Sequence, residues 1–196
     1  MRIASFKRET LETRVEVYLN LDGVGEAKVD TGISFLDHLL ETLSLYSFID
    51  TTIKTVYVDR FDEHHITEDT AIALGRAFDQ ALGDRVGIKR FGFSFIPMDE
   101  ALAFAAVDLG GRPYLKFKAS FLSNIIGDLP LNLIRHILES LAYNGKICIH
   151  AKILYGVDDH HKVEALFKAL GKALRSAIEY DERAMGKSMS RKGVLG

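Results

Sequence analysis

The sequence predicts an α+β protein made by internal duplication: a sheet-plus-two-helices unit is written twice, giving two mostly antiparallel sheets with helices packed on them. Three observations carry this reading. Seven short stretches alternate apolar and polar residues with period two, as half-buried strands do. Four longer stretches repeat their apolar residues with helical spacing. The phrase Asp-x-His-His-x-x-Glu occurs twice, as "DEHHITE" at 62–68 and "DDHHKVE" at 158–164.

In chain order, the first half gives strands at 2–9 and 12–20, a helix at 33–47, a strand at 51–58, the first doublet and a helix at 66–83. The second half gives strands at 91–97, 101–109 and 113–121, a helix at 130–144, a strand at 146–155, the second doublet and a helix at 160–180. Gly83 and Gly145 stand where helix C-terminal glycines are expected, and Pro130 suits a first helical turn. The polar positions repeat in register. His38 is followed three residues on by Glu41, and His136 by Glu139; His38 precedes His64 by 26 residues, and His136 precedes His160 by 24. The chain therefore divides into a first repeat at 1–88, a second at 89–180 and a tail at 181–196. A chain end is solvated by default, but the apolar residues of "KGVL" point to a tail that docks.

Bulk properties exclude several function classes. The 196 residues are 47% hydrophobic, enough for a sizeable core. With 25 basic against 27 acidic side chains the net charge is −2, so no global field recruits nucleic acid or an anionic membrane. No apolar run reaches the roughly 18 residues of a membrane span, and the N-terminus lacks a signal-peptide core. The single cysteine, Cys148, falls in an alternating run and reads as a buried strand residue. Together these features predict a cytoplasmic protein.

Six of the seven histidines belong to the repeated frames: His38, His64, His65, His136, His160 and His161. His150 falls in a strand and reads as structural or as a support to a ligand. A lone helical histidine is ordinarily a satisfied core or surface residue; two doublets, each with a glutamate at the same offset, are a different matter. Adjacent helical residues diverge by about 100°, so one doublet does not serve one ion. Residues four apart share a face, so His64 converges with Glu68 and His160 with Glu164. Six histidines and two glutamates divide into two sites of three His and one Glu. A nitrogen-and-oxygen set without thiolate, with open positions, suits a catalytic Mn²⁺, Fe²⁺ or Zn²⁺. The spacing leaves open which histidine serves which ion.

The segments "FLDHLLETL", "DEHHITEDTAIALGRAF", "PMDEALAFAAVDLGGRPYL", "LYGVDDHHKVEALFKALGKAL" and "SRKGVL" resemble the imidazoleglycerol-phosphate dehydratase family of histidine biosynthesis, in order and over nearly the whole chain. The resemblance implies a ribosomal protein S5 domain 2-like fold. It implies conversion of imidazole glycerol phosphate to imidazole acetol phosphate and water, with two Mn²⁺ per active site and a shell of 24 subunits whose active sites lie between them. The implied chemistry opens with a metal-held imidazolate that expels the neighbouring hydroxyl; the resulting diazafulvene acidifies the next C–H. The resemblance also assigns Arg90, Arg112, Lys168, Ser190 and Lys192 to the phosphate, making the tail part of the active site, and Glu12 to the substrate hydroxyls. Glu164, which shares a helix face with His160, is the expected carrier of the C–H proton, with Glu68 as its counterpart. Thr42, Asp158, Arg191 and the Ile66-Thr67 pair after the first doublet depart from the family's usual residues, and none is an expected ligand. The "DDHH" string also invites a dinuclear phosphoesterase reading, but such sites take several aspartates and this inventory is nearly all imidazole.

Overall fold

The computed structural model describes residues 1–58, 62–193 and 195. Val194 and Gly196 of the predicted tail, and residues 59–61 ahead of the first doublet, lie outside the described residues. The first half runs β1 (Ile3–Glu9), β2 (Thr13–Asn20), β3 (Ala27–Asp30), α1 (Ser34–Ser47), β4 (Asp50–Tyr57) and α2 (Glu63–Leu82). The second runs β5 (Phe91–Met98), β6 (Ala101–Asp108), β7 (Tyr114–Lys118), the two-residue strands β8 (Ile125–Ile126) and β9 (Leu129–Pro130), α3 (Leu133–Asn144), β10 (Cys148–Tyr155) and α4 (Asp159–Ile178). A single 3₁₀ turn, Glu182–Ala184, follows.

The two sheets have equivalent orders, β1-β2-β4-β3 and β5-β6-β10-β7. All pairs are antiparallel except β3 with β4 and β7 with β10. That parallel pair arises twice for one reason: in each half a helix connects the third strand back to its neighbour. The duplication is thus more complete than the sequence pattern suggests. It gives the first half two strands before its helix, whereas the structure adds β3 and makes three.

Strand alternation sets the layers. In β2, Val15, Val17 and Leu19 are buried while Arg14, Glu16 and Tyr18 face out. On the first sheet's inner side, α1 packs on β3 and β4, and α2 on β1 and β2; on the second, α3 packs on β7, and α4 on β5 and β6. The helices of one half then pack on those of the other, α1 against α4 and α2 against α3. The core is therefore continuous between the halves, and the sheets form the outer layers.

Small residues permit the close helix crossings. A Cβ on Gly75 of α2 would stand 2.8 Å from the Gly145 nitrogen, and one on Gly171 of α4 would stand 2.9 Å from the Leu43 carbonyl oxygen. Both glycines fall in the repeated "ALG", eleven residues after the first histidine of their doublet.

Two boundary expectations are corrected. Pro130 does not open a helix: it lies in β9, paired with Ile125, and α3 begins three residues later at Leu133. Cys148 is half-buried rather than buried, because it occupies the outward-facing first position of β10.

Candidate metal centre and phosphate pocket

Both doublets lie in the first turn of a helix, and the aspartate before each explains why. The Asp62 carboxylate accepts from the backbone amides of His64 at 2.7 Å and His65 at 3.3 Å, capping α2. Asp158 accepts from the His160 amide at 2.7 Å and caps α4. Helical geometry then turns the rings of each doublet apart: the His64 and His65 planes lie at 83°, those of His160 and His161 at 88°.

One ring of each doublet enters a cluster. His160 Nε2 lies 3.0 Å from Glu164 Oε2, and His38 Nε2 of α1 approaches the same oxygen to 3.2 Å. His64 Nε2 lies 3.8 Å from Glu68 Oε2, with His136 Nε2 of α3 at 3.5 Å from Oε1. In each triad the three donor atoms fall within 4.8 Å of one another. Each triad crosses the repeat, with His38 joining the second doublet and His136 the first, because α1 packs on α4 and α2 on α3. The Nε2 atoms of His38 and His136 are buried and find no hydrogen-bond partner among the described residues. A buried ring nitrogen aimed at a carboxylate yet outside hydrogen-bond geometry is what a metal ligand looks like without its ion.

The other ring of each doublet belongs to neither triad. His65 Nδ1 stands 3.3 Å from Glu12, in the β1–β2 turn. His161 Nδ1 stands 2.8 Å from Glu100, in the equivalent β5–β6 turn. Glu100 also accepts from the amides of Val157 and Asp158 at 2.9 and 2.7 Å. The His161 contact and these amides hold its pKa at about 2, and the same contact raises that of His161. Among the described residues, one chain by itself therefore brings together two sets of two His and one Glu, and His65 and His161 stand outside both. Glu100 escapes the sequence reading because a turn glutamate carries no periodic signal; its one clue is that Glu12 occupies the matching turn.

The two triads differ in their surroundings. The Glu164 side chain is 11% exposed and Glu68 is 36% exposed. Lys168 Nζ lies 2.8 Å from Glu164 Oε1, whereas the corresponding position after Glu68 is Ile72. Burial alone would raise the Glu164 pKa, but the Lys168 ammonium and the His38 ring beside it outweigh burial and hold it at about 2. Lys168 sits there, with the Tyr46 ring 5.7 Å away, and not with the other expected phosphate cations.

Those others come together. Arg90, Gly110, Arg112, Ser190, Arg191 and Lys192 line one recess. Arg90 builds its wall: its guanidinium grips Asp108 at 2.7 and 2.9 Å and donates to the Met189 carbonyl at 2.7 Å, fixing the tail against the second sheet. His150 is exposed on the outer face of β10, with the Tyr114 ring at 6.0 Å, away from both triads. Thr42 is buried on α1.

The model of the imidazoleglycerol-phosphate dehydratase family matches residues 31–174, which contain both triads. The chain belongs to this family. It is 52% identical over 194 residues to the imidazoleglycerol-phosphate dehydratase of Chloroflexus aggregans, covering 99% of the chain and 95% of that protein. With the Roseiflexus enzyme of the same name it shares 50% over 194 residues, 99% of the chain and 98% of that protein. The structure superposes on the Staphylococcus aureus imidazoleglycerol-phosphate dehydratase with a TM-score of 0.82 at 30% identity, over 91% of this chain and 99% of that one. The Pyrococcus furiosus enzyme gives 0.81 at 34%, over 96% and 99%. Membership makes the chain a dehydratase, a lyase of histidine biosynthesis, and the duplicated sheet-plus-helices fold is the fold of imidazoleglycerol-phosphate dehydratases.

Proposed function

We propose that the chain dehydrates imidazole glycerol phosphate to imidazole acetol phosphate at sites holding two Mn²⁺ ions, in the cytoplasm, as part of a shell of 24 copies. The observation that carries this is the pair of two-His-one-Glu triads, each with a buried, unbonded imidazole nitrogen. Neutral imidazoles with one carboxylate suit a first-row divalent ion, and each triad leaves coordination positions open. Mn²⁺ binds such sets most weakly of the series, so its choice rests on the family and not on the donors. Once bound, the ions supply Lewis acidity that lowers the pKa of a coordinated imidazole N–H.

The side chains around the ions have distinct work. Glu164 is ionised and tucked against Lys168, so it can take the proton leaving the substrate carbon and pass it on. Glu68 is its counterpart at the other triad. Arg112, Ser190 and Lys192 hold the phosphate in a wall shaped by Arg90, while Lys168 holds Glu164 ionised. Glu12 presents a carboxylate beside His65 for the substrate hydroxyls.

His65 and His161 turn away from the triads of their own chain, which supports sites completed by a neighbouring copy. The outer face of β5 supports self-association too. Phe91, Phe93 and Phe95 are 57%, 71% and 56% exposed in one row, an apolar surface that a second copy would cover.

The test is turnover of imidazole glycerol phosphate, followed through the enolisable ketone product, before and after metal removal. Chelation should abolish turnover and Mn²⁺ should restore it, with about two ions retained per chain. Turnover indifferent to chelation would overturn the metal reading.

A further inference from the structure

The two halves differ most in the connection from third strand to helix. In the first half it is residues 31–33; in the second it is residues 119–132, long enough to cross to the other half. The far part of this segment reaches α1. Asp128 accepts from the Ser34 amide at 2.6 Å and the Phe35 amide at 3.0 Å. Helix α1 needs this, because its own N-cap residue, Ile33, has no side chain able to accept. The near part is fastened to α4. Asp159, 6% exposed, accepts from the Leu122 and Ser123 amides at 2.8 and 2.6 Å, and Lys162, 4% exposed, bonds both Asp159 and the Ser120 carbonyl.

The segment thus ties together the N-terminal ends of the two helices that build one triad. Its Ile126, Gly127 and Asp128 form a recess with His38, His160 and Glu164. Phe35, whose amide Asp128 holds, places its ring 6.1 Å from His38 and 5.0 Å from His160, against both imidazoles. Among the described residues, the recess beside the other triad is lined from α2 and α3, by Glu68, Ile72, His136, Glu139, Tyr143 and their neighbours.

We propose that residues 119–132 are a strap and that Asp128 is a positioning residue: by capping α1 from outside it sets His38 and Phe35 against His160 and Glu164, and so tunes one metal triad of the two. Asp128 touches no donor atom, so its influence passes through the start of α1. The inference rests on the metal reading above and deepens it by making the two triads unequal in what supports them.

The test measures Mn²⁺ affinity by equilibrium dialysis in two backgrounds. Glu68→Gln leaves the strapped triad as the intact set; Glu164→Gln leaves the other. Asp128→Ala should weaken Mn²⁺ binding about five- to tenfold in the Glu68→Gln background, the scale of losing one helix cap, and leave it within about twofold in the Glu164→Gln background. Asp128→Asn, which keeps an acceptor and the shape, should fall between and serves if the alanine variant folds poorly. A mere loss of thermal stability with both affinities unchanged, or an equal drop in both backgrounds, overturns the strap's role. A wild-type chain that retains no Mn²⁺ overturns the metal reading and the strap together, whereas two bound ions indifferent to Asp128 overturn the strap alone.

Discussion

Glu164 has three partners, His38, His160 and Lys168, and they decide what it can do. His38 and His160 face one carboxylate oxygen and Lys168 the other. A carboxylate held at about 2 is fully ionised at neutral pH but is a weak base on its own. Lys168→Met removes the neighbouring ammonium, so the Glu164 pKa of the metal-free protein should rise from about 2, as followed by NMR titration of its carboxyl carbon; an unmoved resonance would mean that the Lys168 contact does not hold Glu164 ionised. How far this site was legible in sequence depends on distance along the chain. His160 and Glu164, four apart on one helix, are predictable from spacing. His38 and His136 are recognisable as donors, yet their partners are not, because helix packing across the repeat decides them and no local pattern encodes it. Glu100 and Asp128, in a turn and a strap, are invisible for the same reason.

At the scale of elements, the pattern reads best where burial is one-sided and long. The seven expected strands and four expected helices all form, with ends shifted by a few residues. The missed strand β3 is a four-residue edge, "AKVD", whose single large apolar residue is Val29, too little for alternation to register. Helix α2 starts at Glu63, three residues before its apolar period begins, because the Asp62 cap and not hydrophobicity sets its start. The repeated glycines give a test of the crossings. Gly171→Ala would press a methyl to 2.9 Å from both the Leu43 oxygen and the Tyr46 Cβ, and should destabilise the chain by about 1–3 kcal/mol in denaturant unfolding. Stability unchanged to within error would mean that α1 and α4 are not packed as described. Carboxylates that fasten loops and caps set the acid limit. Asp50, which accepts from the Val24, Gly25 and Glu26 amides, and Asp128 and Asp159 all have lowered pKa values: burial opposes ionisation, and the hydrogen bonds they accept outweigh it. A depressed folded pKa gives stability that is present above the unfolded value, about 3.9, and lost as pH falls through the folded one. Metal-free protein in denaturant titrations should therefore keep its stability at pH 5 and lose it progressively as pH falls below about 4; Asp50→Asn should blunt that acid dependence.

For the whole molecule, the described residues of one chain hold two triads of two His and one Glu, with His65 beside Glu12 and His161 bonded to Glu100. On the reading proposed above, these last two histidines serve the sites of other copies. His65 and His161 diverge from their own triads because adjacent helical residues must; on the reading proposed above, the second ring of each doublet is a donor to another copy. The outer sheets are unequal in the same sense. The first presents Arg14, Glu16 and Lys54 to solvent, while the second presents Phe91, Phe93 and Phe95, so an assembly has one obvious face to bury. The repeat is legible in the sequence, and the family resemblance implies sites between subunits; which histidine of each doublet leaves the triad of its own chain is decided by helix packing, which no local pattern encodes. Complementation between two inactive chains tests it. One variant carries His65→Ala and His161→Ala, keeping both triads but donating nothing. The other carries Glu68→Gln and Glu164→Gln, keeping the donors but spoiling both triads. Each alone should be inactive. Unfolded, mixed and refolded together with Mn²⁺, they should recover part of the wild-type turnover, because sites now form from an intact triad of one copy and intact histidines of another. Phe93→Asp in both variants should suppress the recovery by keeping copies apart, with light scattering reporting a smaller particle. If the mixture stays inactive while light scattering shows full co-assembly, the histidines serve their own chain, and the triads must be completed without exchange.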